Sequence, residues 1–225
     1  MPAGCCGTVF NIGPGGFKTL YSFTGGSDGG NPIAAPIEGN DGNFYGTSAD
    51  EDAEGPCGTV YSITPSGLTT LYTFDGTSGC DPEAPLVLGA DGNFYGTTTY
   101  GGMSEQGVVF KFTPPAGPYS VLYYFDGIHG RLPVSLVQGS NGKFYGTTAT
   151  ASAASGVVFS ITSTGKLKVL HAFAAAGTSD DGQSPLGGLV QATDGNFYGV
   201  TGGYWERRHG WVGHYLPHQR ERKLF

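Results

Sequence analysis

The residues of this 225-residue chain with chemistry in them are four cysteines, five histidines and a recurring set of aspartates and tyrosines. Cys57 precedes one short apolar segment, and Cys80 follows the next. Antiparallel strands joined by one turn would bring those two ends to the same side. A Cys57–Cys80 disulfide is therefore geometrically reasonable and would suit a secreted protein, while two reduced loop thiols is an equally open reading. Cys6 corresponds to Cys57, but the counterpart of Cys80 falls near Gly29, which leaves Cys6 without the equivalent partner. Zinc is not expected, because no CxxC pair or histidine cluster accompanies these thiols.

Asp41, Asp91 and Asp194 recur, with Asn141 in the remaining copy. Calcium would need several further oxygens in one loop, and Asp-Gly-Asn followed by Phe supplies few. The expected role is turn formation, the side chain bonding its own backbone. Asp50-Glu51-Asp52-Ala53-Glu54 is a better cation candidate, although it occurs once and reads as a solvated acidic loop. His129 and His171 occupy different repeat positions and no GxSxG nucleophile accompanies them, so no catalytic residues are assigned. His171 replaces the tyrosine of a Leu-Tyr-x-Phe segment and reads as a packed strand residue. Paired carboxylates could hydrolyse glycosides, yet no pair stands out. Tyr45, Tyr95, Tyr145 and Tyr198 could be sugar-stacking platforms. Their repetition in every unit favours packing aromatics, each hydroxyl bonding a neighbouring unit.

What positions these groups is a repeat. DGNFYGT occurs at Asp41 to Thr47 and Asp91 to Thr97, NGKFYGT at Asn141 to Thr147 and DGNFYGV at Asp194 to Val200. The four tyrosines lie about 50 residues apart, the period of propeller blades and similar arrays. Each unit also carries GTVF-type (Gly7, Gly58, Gly107, Gly156) and LYxF-type segments (Leu20, Leu71, Leu122, Leu170), then a Gly- and Asp-rich loop and a proline-led segment. Alternating β-branched and aromatic residues bounded by glycine read as strands. Gly42, Gly92, Gly142 and Gly195 complete Asp-Gly or Asn-Gly pairs that should supply the positive dihedrals of a tight hairpin. Four short strands per unit predict an all-β fold, an incomplete β-propeller of four-stranded blades over 1–202, because the chain starts at a GTVF strand and loses the pattern after Thr201. Four blades could close as a small ring; an open arc would need more sequence or a partner to cover its ends.

Composition narrows the function. Gly 41 and Pro 14 mark turns, and recurring aromatics exclude disorder. A net charge of −7 argues against nucleic acid as partner, and no apolar run reaches the length of a membrane span. No signal peptide is visible at the N-terminus. Residues 203–225 break the pattern, with five basic side chains against two acidic ones and both tryptophans. A functional basic tail is one reading. A change of reading frame is the other: permitted codons read one base later give ATGNGGTGGWGTIYRISASGNY, which restores a GTVY-type segment. Gene sequencing decides between them. If the frame has changed, Arg207, Arg208, His209 and His214 form no site.

Five motif blocks recurring in order over residues 5–202 resemble the Gloeo/Verruco tandem repeat, GTVFxI…LYxF…P…DGnfYGTT. The resemblance implies a secreted or surface-exposed bacterial protein and transfers no catalytic residue or cofactor. The chain shows neither the secretion signal nor an anchor of such proteins. The expected function is a non-enzymatic extracellular or cell-surface module for binding, adhesion or structure, with carbohydrate or another surface protein as partner. A lectin-like propeller and a glycan hydrolase or lyase with a central-channel site are the alternatives. Binding would use the loops Ser48 to Cys57, Thr98 to Gln106 and Thr148 to Ser155.

Overall fold

The computed structural model describes residues 6–49, 57–174 and 182–202. Every regular element among them is a β-strand. The acidic run at 50–54, Cys5 and the segment 203–225 lie outside the described residues. Three sheets are complete four-stranded antiparallel meanders. The first joins β3 (Ile37–Glu38), β4 (Phe44–Ser48), β5 (Thr59–Thr64) and β6 (Gly67–Thr73). The second joins β7 (Val87–Leu88), β8 (Phe94–Thr98), β9 (Val108–Phe112) and β10 (Tyr119–Tyr124). The third joins β11 (Arg131–Gln138), β12 (Phe144–Thr150), β13 (Val157–Ile161) and β14 (Leu167–Ala172).

Two-stranded sheets flank them: β1 (Thr8–Gly13) with β2 (Gly16–Ser22), and β15 (Val190–Gln191) with β16 (Phe197–Tyr198). The sheets therefore cut across the sequence unit. A sheet takes its proline-led strand and signature strand from one copy, and its GTVF and LYxF strands from the next. β1–β2 correspond to the last two strands of a blade, and β15–β16 to the first two. These halves do not pair with each other, so the sheets do not close.

One cross-strand pair recurs in each complete sheet: Gly46 opposite Tyr61, Gly96 opposite Phe110 and Gly146 opposite Phe159. The absent side chain makes room for the ring. A Cβ on Gly146 would come 2.7 Å from the Phe159 ring. That ring also meets the preceding sheet, because the LYxF phenylalanine packs edge-on against it. Phe23 lies 5.3 Å from Tyr61, Phe74 5.5 Å from Phe110 and Phe125 5.4 Å from Phe159. The core consequently sits between sheets. One cluster unites Val60 and Phe74 with Val108 and Phe110, and another unites Val109 and Phe125 with Val157 and Phe159.

The glycine that opens each GTVF strand has a matching reason. A Cβ on Gly58 would meet the Pro82 ring at 2.8 Å, and one on Gly107 would meet Pro133 at 2.6 Å. The residue before Pro82, Pro133 and Pro185 has positive φ, at 55° for Asp81 and Leu132 and 45° for Ser184, which a non-glycine residue rarely adopts. Its amide is tied to the carbonyl just before that glycine, as in Leu132 to Gln106 at 3.1 Å. Glycine and proline thus lock one sheet to the start of the next.

Candidate functional site

The signature turn is a network of local hydrogen bonds. The Asp41 carboxylate accepts from the Asn43 amide at 3.1 Å, the Asn43 side chain at 2.8 Å and the Tyr45 hydroxyl at 2.8 Å. Asp91 and Asp194 repeat the arrangement, with Tyr95 and Tyr198 donating at 2.7 Å. In the third copy the polarity reverses: Asn141 donates to the Tyr145 hydroxyl at 2.8 Å and accepts from the Lys143 amide. Only the glycine has positive φ, +78° at Gly42 and Gly92, +77° at Gly142 and +83° at Gly195. The expected two-residue turn, with both residues at positive φ, is therefore replaced by a longer one. The amide of Gly42 donates to Gly39, and the amide of Gly39 to Asn43.

The expected bond from each tyrosine hydroxyl to a neighbouring unit is also replaced. The hydroxyl stays in its own turn, and the ring makes the contact between blades. Tyr45 lies 4.5 Å from Phe94, Tyr95 3.9 Å from Phe144 and Tyr145 3.9 Å from Phe197. The signature phenylalanine of one blade thereby covers the tyrosine of the previous one. The four tyrosines stand one per blade rather than in a common site. Electrostatics follow the bonding: burial, then the Asp41 bond, pushes the Tyr45 hydroxyl up to about 12. The Tyr198 and Asn196 bonds hold the Asp194 carboxyl below its usual range.

Other chemistry-bearing side chains are similarly engaged. Cys57 and Cys80 form a disulfide with Cα atoms 4.4 Å apart, and Cys6 is also disulfide-bonded. His129 Nδ1 lies 2.7 Å from Asp126 within one exposed loop, and His171 sits on β14 edge-on to Phe173. Among the described residues no group of three or more His, Cys, Asp or Glu is placed to hold a metal ion.

Two features escaped the sequence. One is a pocket of about 350 Å³ between the third sheet and β15–β16, lined by Val158, Pro185, Leu189, Phe197 and Gly199 among others. In the blades before it, the equivalent space holds GTVF side chains such as Val157 and Phe159. The offset between sheet and sequence unit is what would have located it. The other is a division of faces. Signature turns lie at one end of the strands, whereas the loops at 99–107 and 151–156 lie at the other. Those loops touch the Gly- and Asp-rich loops there, through Gly102 to Gly76 and Ser152 to Gly127. Met103, Ile128 and Tyr100 are exposed on them.

Antiparallel four-stranded sheets stacked through aromatic cores make this chain a repeat module of the β-propeller type. It belongs to the Gloeobacter/Verrucomicrobia repeat family, whose model matches residues 3–216. Among solved structures it is similar to a chain of a nidogen/laminin complex (TM-score 0.58, 15% identity, covering 88% of this chain and 68% of that one). It is also similar to a candidate gluconolactonase (TM-score 0.53, 16% identity, covering 87% and 64%). TolB from Acinetobacter baumannii matches more loosely (TM-score 0.48, 19% identity, covering 86% and 44%). The chain thus spans from under half to about two thirds of the length of these structures. No curated protein matches it in sequence.

Proposed function

We propose that this protein is a non-enzymatic extracellular or cell-surface module that binds through the face opposite its signature turns. One observation carries the reading. The repeated polar groups are spent on holding the turns, while the opposite face carries loops of differing length and composition with Met103, Ile128 and Tyr100 exposed. Variable loops on a fixed scaffold are where recognition concentrates. Apolar tips fit another surface protein better than they fit a free sugar. The Cys57–Cys80 disulfide supports an oxidising compartment. The similarity to a chain of a nidogen/laminin complex concerns the fold, and its binding role is borrowed here only as a precedent.

Immobilised chain is tested against outer-surface protein fractions and a glycan array. Binding to the protein fraction that weakens at least tenfold in Met103→Asp/Ile128→Asp, with unchanged melting, supports the reading. Binding confined to glycans and unaffected by Met103→Asp/Ile128→Asp would replace it with the lectin. Turnover of a glycan would replace it with the enzyme.

A further inference from the structure

Charge is sorted between the two ends of the strands. Among the described residues Lys18, Lys111, Lys143, Lys166 and Lys168 all lie toward the signature end. Lys143 belongs to a signature turn, and the others flank the hairpin turns that join GTVF to LYxF strands. Glu38, Asp41, Asp91 and Asp194 lie at the same end and bring it close to neutral. At the opposite end Arg131 is the only lysine or arginine among the described residues, and its Nε donates to the Thr150 hydroxyl at 2.7 Å. That end keeps an excess of carboxylates.

Those carboxylates stand beside the exposed apolar side chains. Met103 is 82% exposed, Ile128 72% and Tyr100 46%. Glu105 follows Met103 closely in one loop, and Asp126 closely precedes Ile128 in the next. Glu83 accepts from the Thr99 hydroxyl at 2.9 Å, next to Tyr100. Backbone bonds fix these loops to one another: the Phe125 amide donates to Gly107 at 3.0 Å and the Leu132 amide to Gln106 at 3.1 Å. Tyr100 and Cys80 exchange both backbone bonds, and Cys80 is itself anchored by its disulfide to Cys57. Asp126 is engaged by the Ile128 and His129 amides and the His129 ring. Glu83 and Glu105, both exposed, make no ion pair among the described residues.

We propose that this face takes a basic, apolar polypeptide segment of another protein, in which Lys or Arg alternates with large apolar residues. The inference rests on the binding reading above and names the chemistry of the partner. Charge complementarity selects the occupant. Apolar tips alone would accept any hydrophobic surface, but the carboxylates beside them repel nucleic acid, anionic lipid and acidic polysaccharide. A free cation would gain little, because exposed ion pairs contribute little on their own. Covering Met103 and Ile128 supplies affinity, while Glu83 and Glu105 set preference and association rate. A second copy fits less well, since its signature end is nearly neutral.

Fluorescence anisotropy on the full chain tests this with three labelled peptides of equal length, alternating Lys with Leu, Glu with Leu, and Lys with Ser. The Lys–Leu peptide should bind about tenfold tighter than either of the others, and added salt should weaken it. Glu83→Gln/Glu105→Gln should weaken it about tenfold and remove most of the salt dependence. Glu83→Gln alone serves if the double variant melts lower. Met103→Ser/Ile128→Ser should weaken it at every salt concentration, and Glu38→Gln, at the signature end, should change nothing. Equal affinity for the three peptides, indifference to Glu83→Gln/Glu105→Gln, or an equal loss in Glu38→Gln overturns the proposal. So does a concentration-dependent rise in mass that Glu83→Gln/Glu105→Gln abolishes, which would give the face to a second copy. The two readings fail separately. A surface-protein partner lost in Met103→Ser/Ile128→Ser but indifferent to the Gln variants keeps the binding face and removes its basic partner. A partner indifferent to both pairs removes both.

Discussion

Tyr95 separates a packing role from a ligand platform. Its ring is fully buried, 3.9 Å from Phe144 of the next blade, and its hydroxyl donates to Asp91 at 2.7 Å. Tyr95→Ala removes the ring from the core between two sheets and should cost about 3–5 kcal/mol, the range for large aromatic truncations. Tyr95→Phe keeps the ring and loses one bond to a carboxylate that retains two donors from Asn93. It should cost only about 1.5 kcal/mol, at the low end for bonds to charged groups, because Asp91 lies at the solvated rim. The smaller penalty should depend on pH. Against burial, the bonds from Asn93 and Tyr95 hold the Asp91 carboxyl below its usual range. A depressed folded value stabilises above the unfolded value of about 4 and is lost as pH falls through the folded one. The Phe variant should therefore lose its deficit in that acid window, while the Ala variant keeps its own. Urea unfolding followed by circular dichroism at neutral and acid pH measures both. If Tyr95→Ala cost less than about 1 kcal/mol, or no more than Tyr95→Phe, the packing argument would fail.

Cys57→Ser/Cys80→Ser opens a link spanning 23 residues, for which loop entropy gives about 3 kcal/mol, so the midpoint in urea should fall well below that of the oxidised parent. An unchanged midpoint would mean that β5 and β6 already hold those ends together. Tyr61→Phe should leave stability unchanged or raise it by about 1 kcal/mol, since the buried hydroxyl has no hydrogen-bond partner among the described residues. Phe110 and Phe159 fill the same position in the other blades, and a loss above about 1 kcal/mol would reveal a polar contact there.

Strand order was legible because glycine, β-branched and aromatic residues recur in fixed sequence, and Tyr61, Phe110 and Phe159 of the complete sheets are fully buried. The phase of the sheets was less legible. Asp-Gly joins two strands visibly, whereas the loops after Thr47, Thr97 and Thr147 contain no comparable signal that the next GTVF belongs to the same sheet. The tyrosine hydroxyl misled for a physical reason: a ring long enough to reach the next blade is also long enough to fold back onto an aspartate four residues earlier. Contacts such as Gly58 with Pro82 were hidden because neither residue advertises a partner 24 positions away. The pocket beside Gly199 was hidden for the same reason as the sheet phase, since among the described residues β15 and β16 lack the two strands that the following sequence unit supplies in the other sheets.

That offset is also what makes the array cohere. A sheet built from one sequence unit would leave each blade joined to its neighbour only by a linker and a packed face. Here every loop between a signature strand and the next GTVF strand carries the chain from one unit to the next within a single sheet. The Gly–Pro lock then fastens that sheet to the one after it. Neighbouring units are thus coupled both by strand pairing and by core packing, and no unit can leave the array without breaking a sheet.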